Sequence, residues 1–146
     1  MTRMYLYFWE DATSWGEISE KHRNKMLVNT TTALKLVRSK EMQDAYKFSL
    51  PQNTLDKVVP IVEELTRIRK ENSKKKEYNL IIYPYLAQMR SVLERCYDSL
   101  YINGEIHIVV SDAAFYGIHI DTQEYLMDIL QDIGFIDVSC IRMRDR

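Results

Sequence analysis

Leu100-Tyr101-Ile102-Asn103-Gly104-Glu105-Ile106-His107-Ile108-Val109-Val110-Ser111-Asp112 is the stretch on which the reading of this chain turns. Asn103-Gly104 is a turn and a helix-stop signal, because both residue types accept the left-handed backbone that ends a helix. The residues from Glu105 to Ser111 alternate at first and then become continuously apolar, as in a strand buried on both faces. Ser111 and Asp112 place polar groups at the carboxyl end of that strand. In open α/β sheets this is the end where ligands sit.

Working outward, Asp121-Thr122-Gln123-Glu124 is a helix-start box, and Tyr125, Leu126, Ile129, Leu130 and Ile133 form the apolar stripe of the helix it opens. Gly134 stops that helix. Residues 135–143 alternate with period two, which predicts a final strand. Upstream, Leu86, Met89, Leu93, Cys96 and Leu100 recur at three and four residues, with Val92 and Tyr97 widening the stripe. Pro84 suits the first turn of that helix or a bend just before it. Asn72-Ser73-Lys74-Lys75-Lys76 is a solvated break. Before it, Leu55, Val58, Val59, Val62, Leu65 and Ile68 predict a helix from Thr54 to about Glu71, which Pro60 either kinks or starts later. Ser39 to Asn53 is weakly periodic and reads as containing a connecting loop. Ser14 to Glu17 reads as another helix start, closed off by Asn29-Thr30-Thr31-Thr32. The aromatic run Thr2 to Trp9 fits helix or strand equally. Helix, strand, helix, strand is an α/β order.

The length of 146 residues fits one domain, with 46% apolar and 28% charged residues giving a globular composition. It divides into an N-terminal segment 1–50, a helical region 51–102 and a strand-helix-strand end 103–146. A formal net charge of −1 leaves no global field drawing the chain to nucleic acid. Neither a signal peptide nor an apolar run of the roughly 20 residues needed to cross a bilayer is apparent. Cys96 and Cys140 lie in apolar strings and read as two reduced, buried thiols, which implies a cytoplasmic protein that uses no metal. Serine-histidine-acid spacing, a phosphate loop and a His/Cys ligand set are all missing from the sequence.

The wording of these elements carries a resemblance. The run from Leu100 to Asp112 looks like the helix end, glycine turn and fifth strand of class I methyltransferases. Asp128-Ile-Leu-Gln-Asp-Ile-Gly134-Phe135 looks like the next helix of that fold and the opening of its sixth strand. Thr2-Arg3-Met4-Tyr5-Leu6-Tyr7-Phe8-Trp9, Ser14-Trp15 and Val28-Asn29-Thr30-Thr31-Thr32 resemble the segment after the catalytic motif in amino-methylating DNA methyltransferases. The run Asp112-Ala-Ala-Phe-Tyr116-Gly117-Ile-His119-Ile-Asp121-Thr122 resembles the same group after its fifth strand. The resemblance implies a partial class I methyltransferase sheet, Rossmann-like, with helices and without its N-terminal strands. It implies transfer of a methyl group from S-adenosylmethionine to cytosine N4 or adenine N6 in DNA, as in restriction-modification. In that family a glycine-rich turn lets the cofactor approach, and a Pro-Pro-Tyr loop grips the amino group of a flipped-out base. Neither is present: Gly16, Gly104, Gly117 and Gly134 are far apart, and Pro51, Pro60 and Pro84 are never adjacent. The implied chain begins at an internal methionine just after the catalytic loop. It is expected to be inactive alone, to bind no S-adenosylmethionine alone, and to need a second polypeptide carrying the missing motifs.

Under this resemblance Asp112, Tyr116 and His119 are candidates for lining the target-base or cofactor cleft. The alternative is that Asp112 caps a turn and His119 packs locally. His107 reads as a core or edge histidine. Arg67, Arg69, Lys70, Lys74, Lys75 and Lys76 form the one dense basic run, with Arg69, Lys74, Lys75 and Lys76 candidates for DNA phosphates. A lysine-rich, solvated helix end that complements the helix dipole is the more ordinary reading of the same run. Arg142 and Arg144 are further phosphate candidates. Trp9 and Trp15 read as core anchors before stacking platforms. The family's sheet also implies that strand 105–111 lacks both neighbours here and strand 135–143 lacks its hairpin partner. Two apolar strands with open edges leave backbone groups unpaired or invite aggregation. The competing readings are a free-standing DNA-binding or interaction module that kept the scaffold, and an unrelated α/β protein of similar wording.

Overall fold

The computed structural model describes residues 27–28, 37–72 and 76–141. The readings placed on Thr2–Trp9, Ser14–Glu17, Asn29–Thr32, Lys74, Lys75, Arg142 and Arg144 lie outside these residues. The fold is mixed helix and sheet: α1 (Lys40–Phe48), α2 (Gln52–Glu71), a 3-10 turn (Tyr78–Leu80), α3 (Ile82–Ser99), β1 (Ala113–Phe115), β2 (Ile118–Ile120) and α4 (Thr122–Ile133). No helix among the described residues is long and apolar enough to cross a membrane.

Helix α1 replaces the loop expected between Ser39 and Asn53. Ser39 caps it by accepting a hydrogen bond from the Met42 amide, 3.2 Å away. It buries none of its residues completely, and Tyr46 is half-buried against the core. Gln43 clips it to the core by donating to the carbonyls of Val37 (2.6 Å) and Leu80 (3.0 Å). Helix α2 starts two residues earlier than expected and runs through Pro60, which lies on the exposed face. Pro84 falls in the first turn of α3, where its missing N–H costs nothing.

One continuous core joins α2, α3 and α4. Val58 and Leu65 of α2, Leu86 and Leu93 of α3 and Ile129 of α4 are almost sealed from solvent. Ion pairs fasten its rim: Lys57 reaches Glu124 (2.7 Å) and Asp128 (2.8 Å), and Arg90 reaches Asp132 (2.7 Å). Helix α4 opens and closes as its sequence predicts. Asp121 accepts from the Glu124 amide at 3.1 Å, and Gly134 ends the helix at φ 116. The Gly134 and Phe135 amides both donate to the Leu130 carbonyl, and Phe135 then packs edge-on against Tyr97. A side chain at Gly134 would also meet the Tyr97 ring at 3.2 Å.

Among the described residues the two long strands expected from the alternation are not formed. The sheet found there has two strands, β1 and β2, paired antiparallel within residues 113–120. Asn103 adopts φ 62 in the turn that the Asn-Gly pair predicts, and the chain then enters residues 105–111. There Ile106 and Ile108 pack against the core while Glu105, His107 and Val109 are exposed, so the alternation itself holds. A ladder does not: among the described residues no strand lies beside this ribbon, and its backbone groups make no hydrogen bond. Residues 136–141 also lie in no ladder among the described residues, with a bend at Asp137 (φ 55) and with Ile136 and Ile141 open to solvent. Facing direction is a local property of an extended chain, whereas a ladder needs a neighbour.

Candidate functional site

The hairpin organises the region that the sequence singled out. Tyr116 (φ 55) and Gly117 (φ 88) form a two-residue turn with positive φ at both positions, the twist that suits a tight antiparallel hairpin. Register pairs Ala113 with Ile120, Ala114 with His119 and Phe115 with Ile118. Period two then directs Ala113, Phe115, Ile118 and Ile120 inward and leaves Ala114 and His119 exposed.

Asp112 and His119 are brought together. They are diagonal neighbours across the hairpin, with His119 Nε2 3.5 Å from Asp112 Oδ2. That separation is electrostatic contact rather than a good hydrogen bond. The imidazole is 64% exposed, on the outer face of the hairpin. Tyr116 sits apart from this pair, at the turn, where its ring leans on Tyr78 with centroids 5.3 Å apart. A carboxylate beside an imidazole can orient the ring. An open outer face supplies neither the shielding nor the pocket that base chemistry needs.

The basic run divides by what each side chain touches. Arg67 is held within its own helix by Glu64 and Glu71, which raise its already high pKa, so its charge is largely neutralised locally. Arg69 is half-buried, with Nη1 donating to the Asn72 carbonyl at 3.5 Å and Nε buried without a hydrogen bond among the described residues. Lys70 and Lys76 are exposed. His107 stands outward beside Glu105, 3.5 Å away, so it is no core residue. Cys96 is half-buried and Cys140 is exposed, which corrects the expectation of two buried thiols; Cys140 Sγ donates to Gln123 Oε1 at 3.1 Å. Among the described residues no cluster of His, Cys, Asp or Glu is arranged to hold a metal.

A cavity lies on the inner side of the hairpin. It has a volume of about 190 Å³, and its walls include Ile82 and Tyr85 at the start of α3, Phe115 and Ile120 of the hairpin, and Thr122 and Tyr125 of α4. Ser111 lines it as well, at the carboxyl end of the ribbon. Burial raises the pKa of both the Tyr85 and Tyr125 hydroxyls, which keeps them neutral. Asp112, Tyr116 and His119 do not line it. The signal for it was available in Phe115-Tyr116-Gly117-Ile118, a tight-turn pair between apolar residues, which predicts a hairpin and hence an inner face.

The fit of S-adenosylmethionine to these residues can be judged from the lining. That cofactor carries a charged amino-acid end, a sulfonium and ribose hydroxyls, and the cavity presents no charged side chain to any of them. The lining of this cavity therefore offers the charged parts of that cofactor no ion-pair partner. Comparison of the chain with models of protein families, with curated proteins and with solved structures returns no match.

Proposed function

We propose that this chain is the C-terminal portion of a DNA methyltransferase acting on a base amino group, inactive until a second polypeptide supplies the rest of the sheet. The supporting observation is the ribbon 105–111. It is apolar enough for a two-sided burial, its Ile106 and Ile108 already lie on the core, and yet Val109 is 84% exposed. Seven residues with no backbone partner among the described residues fit an interior strand whose neighbours belong to another chain.

On this reading 105–111 is the fifth strand of a Rossmann-like sheet, and residues from 135 onward are the sixth. S-adenosylmethionine and the target base are held by the missing part, since an exocyclic amine needs hydrogen bonds that draw its lone pair out of conjugation. This chain contributes one flank of the cleft, with the Asp112–His119 pair at the strand's carboxyl end. On this reading Arg69, Lys70 and Lys76, together with Lys74, Lys75, Arg142 and Arg144 of the sequence, are the candidates for contacting DNA phosphates in the complete enzyme.

The test begins with the DNA immediately upstream of the coding sequence. An in-frame or once-frameshifted Pro-Pro-Tyr string, or an adjacent gene carrying the glycine turn and that loop, is expected. Co-expressing that polypeptide with this chain should give methyl transfer from S-adenosylmethionine to DNA that neither shows alone. Absence of any such coding sequence would remove the reading's main prop.

A further inference from the structure

We infer that the cavity between α3, the hairpin and α4 is a binding site for a small, neutral aromatic molecule carrying one hydrogen-bonding group. The inference stands on the cavity alone and is independent of the methyl-transfer reading.

Size comes first. Protein interiors are close-packed, and voids much larger than a water molecule are few. At about 190 Å³ this one is a half-open cleft whose volume is comparable to the roughly 150 Å³ of an engineered apolar cavity that takes up benzene. One substituted ring fits that volume. Chemistry narrows the choice further. Tyr85, Phe115 and Tyr125, from three different elements, line it and supply aromatic surface for ring contacts. With no charged side chain in the lining, a carboxylate, phosphate or ammonium would lose its hydration for nothing.

Two hydroxyls give the site its polarity. Ser111 is exposed and marks the open side. The Thr122 hydroxyl reaches the Ile120 carbonyl only at 3.5 Å, the outer limit of a hydrogen bond, so it can turn to a ligand at small loss. A ring with one hydroxyl or N–H placed toward Thr122 satisfies both features.

The walls are also held from outside. Val28 donates its amide to Gln88 Oε1 at 2.7 Å, Phe115 stacks on Tyr78 with centroids 4.5 Å apart, and the start of α4 is fixed by the Asp121 cap. These contacts oppose collapse of the cavity, and a preformed site keeps the ordering cost of binding low.

Methyl NMR of the full chain labelled at isoleucine tests this directly, with phenol, indole and benzene as probes. Saturable shifts are expected at Ile81, Ile82 and Ile120, and none at the exposed Ile102, Ile136 and Ile141. Ala113→Phe, which fills the space, should abolish them. Thr122→Val keeps the shape and removes the hydroxyl. It should weaken phenol about fivefold, the worth of one hydrogen bond, and leave benzene unchanged. The inference is overturned by an unsaturable response, by equal shifts at the exposed isoleucines, or by Ala113→Phe binding as the parent does. Should Ala113→Phe fail to fold, an equal loss of phenol and benzene in Thr122→Val overturns it instead.

Discussion

Leu86, Leu93 and Ile129 are nearly sealed within the helical core, whereas Ile102 is 95% exposed and Ile136 85% exposed a short way along the same chain. The residues are chemically alike. What differs is whether their elements satisfy their own backbone. A helix pairs each amide within itself, so α2, α3 and α4 need each other only for burial. A ribbon such as 105–111 or 136–141 needs a neighbour for its amides and carbonyls too, and among the described residues none is beside it. Unpaired backbone therefore concentrates in these segments and leaves the helical core closed.

The strongest way to break this contrast is to delete side chains on both sides of it. Leu86→Ala should cost about 3 kcal/mol in chemical denaturation, as fully buried leucines do, while Ile136→Ala in the chain alone should change stability by less than about 0.5 kcal/mol. Equal losses would mean that the ribbon is buried after all. Next in size is Gly134→Ala. It forces a side chain into a left-handed position and against Tyr97, and should lower stability by about 1–2 kcal/mol. Asp121→Ala removes the cap of α4 and should cost about 1 kcal/mol. Val109→Lys should leave stability nearly unchanged but reduce self-association in sedimentation, because a lysine blunts an open strand edge.

The smallest effect is electrostatic. Hydrogen bonds to Asp128 and then Glu124 raise the Lys57 pKa above its ordinary value of 10.5, against a lesser opposing effect of burial. A raised folded-state pKa makes the pair's stabilisation complete below the unfolded value and lost as pH climbs through the folded one. Denaturation midpoints should therefore fall above about pH 10.5, and Lys57→Met should lessen that slope. The side chain is 35% exposed, so solvent screening keeps the contribution modest.

How much was legible follows the same division. The helices α2, α3 and α4 were readable because 3.6-residue spacing is written in their own residues, and the Asp121 and Gly134 signals mark the ends of α4. Helix α1 is harder to read because it is short and rests on the core through the half-buried Tyr46, with Met42 and Phe48 exposed. The side-to-side alternation of 105–109 was readable, since Ile106 and Ile108 do face the core. Its ladder was not, because pairing depends on residues elsewhere. The same limit applies to the site. Asp112 and His119 were named from the strand end they follow, and they do meet. The cavity behind them is assembled from three separated elements, and only the Tyr116-Gly117 turn hinted at its hairpin wall.

Amide hydrogen exchange on the chain alone tests the central contrast most directly. The account predicts that Ile106 to Val110 and residues 136–141 exchange at rates near those of an unstructured peptide, while Leu86 to Leu93 in α3 are slowed at least about a hundredfold. Protection of the two ribbons equal to that of α3, with no other polypeptide present, would contradict it.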